Sequence, residues 1–512
     1  MALSTAELPP VLSEALARTA AALPGAPAVT LGERTLSFGE LHGAVRAAAA
    51  GLQAAGVRPG DRVALLLPNI PQFPISYFAA SQAGAIVVPM SVLLLPDELA
   101  YVVGDAGAET LIYFNGFDAA VTGVAQLATP LKRFFAVGGE TQVAGAQPFE
   151  ALPAGGEVGL EVPSADPQGP AVLIYTSGTT GKPKGATLSH RNVISNADAA
   201  RQTIGVTAED RFLTVLPLFH SFGATVCMIL PLLVGAANVL LPRFVPPDVL
   251  EVLERAAITV FAGVPSMYNA LVRVRGDRRP DLSRLRLCVS GGAPLPVELL
   301  HAFEERFGAL LIEGYGPTEA SPVVSVNPID GRRRIGSAGL PIPGVELRVV
   351  DDQSRDVPTG EVGEVLVRGP NVMLGYWQRP ADTAETVRNG WLYTGDMGRL
   401  DADGYLYIVD RKKDMVIVSG MNVYPREVED VIYHLPAIAE CAVAGVPSER
   451  RGEDVKAFVV LKEGASLTPE EVLDHCRAHL ASYKVPRQVE IVADLPKSPT
   501  GKTLKRALVG RE

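Results

Sequence analysis

The sequence predicts an α/β protein: a large N-terminal domain of two doubly wound sheets plus a small antiparallel β unit, followed by a small α+β C-terminal domain. Helix-like and strand-like stretches alternate over residues 36–114 and again over 211–313, the pattern of parallel sheets covered by helices on both faces. Past residue 335 apolar residues recur at every second position around Gly/Pro turns, as in antiparallel hairpins. A closing stretch of roughly one hundred residues has room for a compact domain of its own. The chain of 512 residues, 47% of them hydrophobic, is too long for one core and apolar enough for several.

In the first run, residues 41–55 read as an alanine-rich helix closed by Gly56, and 61–67 as a strand ending at Pro68-Asn69. A short helix at 77–84 and strands at 85–90 and 110–114 continue it. Residues 138–168, rich in Gly, Pro and Ala, read as a surface connection. Strands at 171–175, 211–215, 237–241, 259–262, 285–289 and 310–313 follow, with helices between most of them, one at 296–306. Residues 225–242 are almost wholly apolar, but Pro231, Gly235 and Asn238 interrupt them and the run is short for a membrane span, so a buried helix, turn and strand are expected. Residues 345–350 and 364–368 read as a hairpin, and Asp403-Gly404 turns into a strand at 405–409. The last module runs strand 440–445, strand 455–462, helix 468–480, strand 488–492.

The stretch after the strand at 171–175 carries the clearest chemistry. Thr176, Ser177, Gly178, Thr179, Thr180 and Gly181 are all hydroxyl residues or glycine, and Lys182 and Lys184 follow. Glycines let backbone N–H groups converge on an anion, hydroxyls add donors, and the lysines bring charge on long stems. A surface turn would not concentrate these groups, so a polyphosphate cradle is expected. It is not the common nucleoside-triphosphatase loop. Gly178 and Gly181 are too close together, and Pro183 follows Lys182 where that loop needs a hydroxyl. Two further motifs, at 290–294 and 314–319, also come directly after strands, where doubly wound sheets collect ligands.

Composition excludes other classes. A net charge of −10 argues against general nucleic-acid binding. Cys227, Cys288, Cys441 and Cys476 lack ligand spacing and read as small buried hydrophobes in a reducing, cytoplasmic setting. The first residues lack the basic-then-apolar pattern of a signal peptide. Arg273, Arg275, Arg278, Arg279, Arg284 and Arg286 are interspersed with acids and read as a solvated loop. Arg332, Arg333 and Arg334 are left open between solvent, a phosphate ligand and an anionic membrane face.

Taken in order, residues 175–185, Gly314-Tyr-Gly-Pro-Thr-Glu-Ala320, Tyr393-Thr-Gly-Asp396, Asp410-Arg-Lys-Lys-Asp414 and Lys497-Ser-Pro-Thr-Gly-Lys502 resemble the adenylate-forming superfamily of acyl-CoA synthetases, carrier-loading adenylation modules and beetle luciferases. The resemblance runs from about residue 36 to 508, and residues 313–319, 372–380 and 410–425 bring it nearest to bacterial long-chain fatty-acid–CoA ligases.

It implies two half-reactions: a carboxylate attacks the α-phosphorus of ATP, releasing pyrophosphate, and coenzyme A then displaces AMP. A stand-alone enzyme loading a carrier protein and an aryl-CoA ligase are the rival enzymes. A catalytically silent sensor of acyl-adenylates is the rival outside enzymes. The chain continues ten residues past Lys502 without a carrier domain, which favours a free-standing enzyme.

On this resemblance Thr176 to Lys184 hold the β- and γ-phosphates, Glu319 binds Mg²⁺ and Thr318 donates to the α-phosphate. Tyr315, with Gly314 and Gly316 beside it and Glu313 before it, offers adenine a ring face. Gly292, Ala293 and Pro294 line its other side. Asp396 and Arg411 take the ribose, and His220 gates the carboxylate. Phe219, Val264, Met267 and Val323 form the acyl wall. Lys502 bridges carboxylate and α-phosphate, so the C-terminal domain must be mobile: residues 1–410 form the ATP- and acyl-binding domain, 411–413 a hinge centred on Lys413, and 414–512 the moving part. Ser419 and Gly420 line the coenzyme A path after rotation. Fatty acid, ATP, Mg²⁺ and coenzyme A are the expected small-molecule partners. A homodimer and peripheral contact at the inner membrane face are left open.

Overall fold

The computed structural model describes residues 8–127, 129–152, 162–176, 182–275, 280–419, 421–448, 450–497 and 503–509. Among these, the first large sheet runs in the order 375–376, 184–189, 170–176, 86–89, 62–66, 110–114, 133–137 and 147–148. It is parallel from Pro170–Thr176 onward, whereas Lys184–Ser189 turns back antiparallel on Pro170–Thr176, with Thr176 opposite Lys184. The expected phosphate stretch therefore joins two strands of one hairpin.

The second large sheet runs 340–341, 325–326, 310–315, 287–290, 260–263, 211–214, 237–240, 27–31 and 34–37. Its centre is parallel, and its two ends are closed by antiparallel pairs. Side chains from both large sheets, including Val63, Val87 and Val172 of the first and Phe212, Val260 and Ile312 of the second, share one hydrophobic core with the helices Phe38–Ala54, Gln72–Gln82 and His190–Ile204. A buried amide locks the two sheets together: Asn69 Nδ2 donates to the Leu216 carbonyl at 2.9 Å, and its Oδ1 accepts from the Leu218 N–H at 3.0 Å.

Helix starts follow local chemistry. Ser37 and Glu40 form a capping box, with Oε2 of Glu40 2.8 Å from the Ser37 N–H, and Phe38 begins the helix. Ser189 and Asn192 do the same for His190–Ile204. That Asn192 has a second use, since its Nδ2 donates to the Pro370 and Val372 carbonyls at 2.7 and 2.9 Å. One turn further, Asn196 holds both N–H and carbonyl of Val323. The helix thus ties two otherwise irregular segments to the first sheet.

Residues 223–229 form a wide π-type turn, followed by Leu230–Val234 and the strand Ala237–Leu240, as the apolar run predicted. No helix among the described residues is long and apolar enough to cross a membrane. A third sheet contains Glu346–Val350, Gly363–Arg368, Trp391–Leu400 and Leu406–Arg411. The fourth contains Val416–Val418, Met421–Val423, Ile438–Ser448, Gly452–Leu461 and Gln488–Ile491, with its own core around Val443, Val455, Ile432 and Cys476. All four cysteines are buried and free.

The arginine readings gain partners. Arg286, exposed just before the strand Leu287–Ser290, grips buried Asp210 through Nε at 2.8 Å and Nη2 at 2.7 Å, while residues 276–279 lie outside the described residues. Arg333 pairs with Glu304 and Arg334 with Asp401 and Asp403, distant parts of the chain, while exposed Arg332 pairs with nearby Asp330.

Burial alone would raise the Asp210 carboxyl, but the hydrogen bonds from Arg286, the Thr207 N–H and Thr259 outweigh it and hold the group below its ordinary value. A carboxyl with a lowered value stabilises the fold at neutral pH and loses that contribution as acid protonates it. Arg286→Ala is expected to cost about 1–2 kcal/mol in urea unfolding at neutral pH, because one side of the pair is partly solvated. The difference should shrink in acid.

Candidate active site

A cavity of about 1360 Å³ opens where the strands Pro170–Thr176, Leu287–Ser290 and Leu310–Tyr315 end. Its wall is polar over Thr176, Lys184, Thr318, Glu319, Asp396, Arg411 and Lys413, and apolar over Ala200, Ile204, Phe219, Val226, Val323 and Val326. Strand ends cluster these groups because carbonyls and N–H groups there have left the ladder and side chains can turn toward a common space.

Glu319 stands at the junction of three segments. Its Oε1 accepts from Thr176 Oγ1 at 3.3 Å and from the Tyr376 hydroxyl at 2.9 Å. Lys184 pairs with Asp382, and its ammonium lies 5.4 Å from the centre of the Tyr376 ring. Thr318 Oγ1 shares a 3.1 Å hydrogen bond with buried Ser221. On the opposite side the Tyr315 hydroxyl donates to Asp396 Oδ2 at 2.6 Å, and Arg411 Nε is 3.6 Å from Asp396 Oδ1. Strand register sets this last pair, since Asp396 and Arg411 face each other across Trp391–Leu400 and Leu406–Arg411.

Ser290 is among the lining residues, and its buried hydroxyl has no hydrogen-bond partner among the described residues. Gly316 is required by the chain itself. A Cβ there would meet the Pro322 carbonyl oxygen at 1.6 Å, so the close approach at this position belongs to the protein's own turn and not to a ligand.

Other expected residues fall in different places. His220 lines the cavity, and its Nδ1 accepts from the Phe222 N–H at 3.3 Å. Val264 borders a small separate void beside His220 and Gly292, and Met267 is half-buried between two cores without reaching the cavity. Gly292 and Gly314 line the cavity, whereas Ala293 and Pro294 stand beyond its wall. Glu313 is buried behind that wall and accepts from the Leu295 N–H at 3.3 Å. Ser419 is exposed and away from the cavity. Ser177, Gly178, Thr179, Thr180, Gly181, Gly420 and Lys502 lie outside the described residues, although Thr503 and Leu504, next to Lys502, line the cavity. Tyr376, Asp382 and Ser221 were missed. Tyr376 lies within the stretch 372–380 that carries the resemblance, and its spacing gave no sign that its hydroxyl reaches Glu319.

Comparison with known proteins agrees with this geometry. The family model for AMP-binding enzymes matches residues 16–377, and the model for their C-terminal domain matches residues 427–502. A long-chain-fatty-acid–CoA ligase of Escherichia coli is 40% identical over 510 residues, covering 94% of this chain and 90% of its own. A feruloyl-CoA synthase of an Amycolatopsis species is 42% identical over 489 residues, covering 95% and 96%. Among solved structures, an anthranilate CoA ligase in complex with anthranoyl-AMP superposes with a TM-score of 0.93 at 33% identity, over 99% of this chain and 98% of that one.

The chain belongs to the AMP-binding enzyme family, the adenylate-forming superfamily. Within it, the protein is an AMP-forming acid–CoA ligase that uses ATP, Mg²⁺ and coenzyme A. Among the described residues no group of three or more His, Cys, Asp or Glu could hold a metal ion. One carboxylate at a phosphate site nevertheless fits Mg²⁺, which takes few protein ligands and completes its shell with phosphate oxygens and water. Glu319, which lines the cavity, would hold it, and the ion would offset phosphate charge.

Burial pushes the Glu313 carboxyl from 4.5 up to about 7, against the lowering influence of Arg426 and the Leu295 N–H. The folded chain therefore keeps a proton that the unfolded chain releases. This contribution to stability is full below the ordinary value and is lost as pH rises to about 7. Glu313→Gln keeps an acceptor for Leu295 and removes the titration. Urea unfolding from about pH 5 to about pH 8 should show the variant gaining on the wild type as pH rises.

Proposed function

We propose that the protein activates medium- or long-chain fatty acids, forming an acyl-adenylate and then an acyl-CoA. The apolar wall carries this reading: Ala200, Ile204, Phe219, Val226, Val323 and Val326 offer no charge and no hydrogen-bonding side chain to a substrate tail. A tail of methylenes suits such a wall, because each buried methylene is worth about 0.8 kcal/mol and needs no polar partner. A second reading, an aryl-CoA ligase, is favoured by the feruloyl-CoA synthase relative at 42% identity.

In the proposed first step the carboxylate lies between His220 and Thr318, at the boundary of the apolar and polar walls. Thr176 and Lys184 donate to the phosphates that leave as pyrophosphate, whose charge a cation held by Glu319 would further offset. Thr318, oriented by Ser221, donates to the α-phosphate. Asp396, oriented by Tyr315 and Arg411, accepts from the ribose hydroxyls. Lys502 bridges the carboxylate and the α-phosphate. Residues 411–413 lie between the third and fourth sheets and act as the hinge that carries Lys502 away and brings Ser419 and Gly420 to the site.

Release of AMP, measured across saturated acids of graded length and a set of aryl acids, with and without coenzyme A, tests the substrate. Turnover is expected to rise with chain length and to require coenzyme A; preference for aryl acids would replace the reading. Lys502→Ala should abolish adenylate formation while supplied acyl-AMP is still converted to thioester. Equal loss of both steps would remove the role given to Lys502.

A further inference from the structure

Tyr101 and Asp105 are four residues apart on the helix Pro96–Ala106, so they project from one face. That face meets the hairpin that carries the phosphate stretch. Asp105 Oδ2 accepts from the Tyr175 hydroxyl at 2.8 Å, just before the stretch. The Tyr101 hydroxyl donates to the Pro183 carbonyl at 2.9 Å, just after it. A single guanidinium joins the two contacts: Arg379 Nη2 donates to Asp105 Oδ1 at 2.8 Å and to the Tyr101 hydroxyl at 3.1 Å. Arg379 is itself placed by the short strand Gly375–Tyr376, which pairs with Thr187 and Ala186 of the same hairpin, and by the Trp377 N–H on the Gly185 carbonyl at 2.8 Å.

We propose that Asp105, through Tyr175, Arg379 and Tyr101, is a positioning residue for ATP: it fixes both ends of the segment that receives the β- and γ-phosphates. The proposal rests on the reading of residues 176–184 as the phosphate site. Glycines and small hydroxyl residues have wide backbone freedom, so a segment built from them binds an anion well only if its ends are held. The carboxylate of Asp105 does not touch phosphate. It accepts from Tyr175 and Arg379, which are partly or largely withdrawn from water, where charge-assisted hydrogen bonds are strongest. None of these contacts involves Tyr315, Asp396 or Arg411, which stand where the nucleoside is expected.

This separation gives the test. Calorimetric titration of the full chain with Mg·ATP and with AMP, in the absence of any acid, reads the two halves of the nucleotide independently. Asp105→Asn is expected to weaken ATP about tenfold, the equivalent of about 1.4 kcal/mol, with AMP held within about twofold. Arg379→Lys, which keeps the charge but loses the planar fork, should move ATP in the same direction. It stands in if the first variant does not fold, and melting curves establish that both variants are folded. Unchanged ATP affinity, or equal weakening of ATP and AMP, would overturn the proposal. A wild-type chain that binds ATP no better than AMP would instead remove the phosphate reading on which it rests.

Discussion

Everything in the site depends on how one carboxylate is held. Glu319 accepts from Thr176 and from Tyr376, and those two residues come from the strands on either side of Lys184–Ser189. A carboxylate oxygen engaged by two hydroxyls in this way is fixed in orientation. The engagement requires the strand Gly375–Tyr376 to lie on Lys184–Ser189, and this in turn requires Asn192 to hold the Pro370 and Val372 carbonyls. Residues far apart in the chain are thus brought together by backbone pairing first and by side-chain chemistry second. Rigid elements set the geometry, and the polar contacts select among the few arrangements those elements allow.

The two alternating runs were legible because helix and strand periods differ, and both parallel sheets lie where alternation placed them. The expected phosphate stretch stood out by its composition, though residues 177–181 lie outside the described residues. Glu319, Asp396 and Arg411 were reached only through the order of several motifs, since an isolated Asp after Thr-Gly has many ordinary uses. Asp105 left no trace, and Arg379, although within the stretch 372–380, gave no sign of its partner. They are 274 residues apart, and nothing in either neighbourhood announces the other. The lone arginines at 332–334 could not be interpreted for the same reason: an arginine's meaning is set by its partner, and Glu304, Asp401 and Asp403 are found only in the folded chain.

The region around the expected hinge shows a comparable economy. Asp410 is buried, its Oδ1 accepts from the Arg411 N–H at 2.7 Å and its Oδ2 from the Arg426 N–H at 2.9 Å. Arg426 also donates to the Ile408 carbonyl at 2.7 Å. The third and fourth sheets are therefore joined by short polar contacts close to residues 411–413. Farther away the C-terminal part meets the helical layer of the second sheet through exposed pairs such as Arg275 with Glu463 and His434 with Glu298, the latter 3.7 Å apart. Exposed pairs contribute little, so relative movement of the two parts costs little there.

The pairing of Lys184 with Asp382 carries one more consequence. A cation kept for a polyanion would be left unneutralised at a partly buried wall whenever the polyanion is absent, and desolvated charge without a counter-charge is costly. Asp382 removes that cost by serving as the resident counterion. On the proposed reading, a polyanion arriving at this wall would exchange with Asp382 at the same ammonium, and its departure would let the Lys184–Asp382 pair form again.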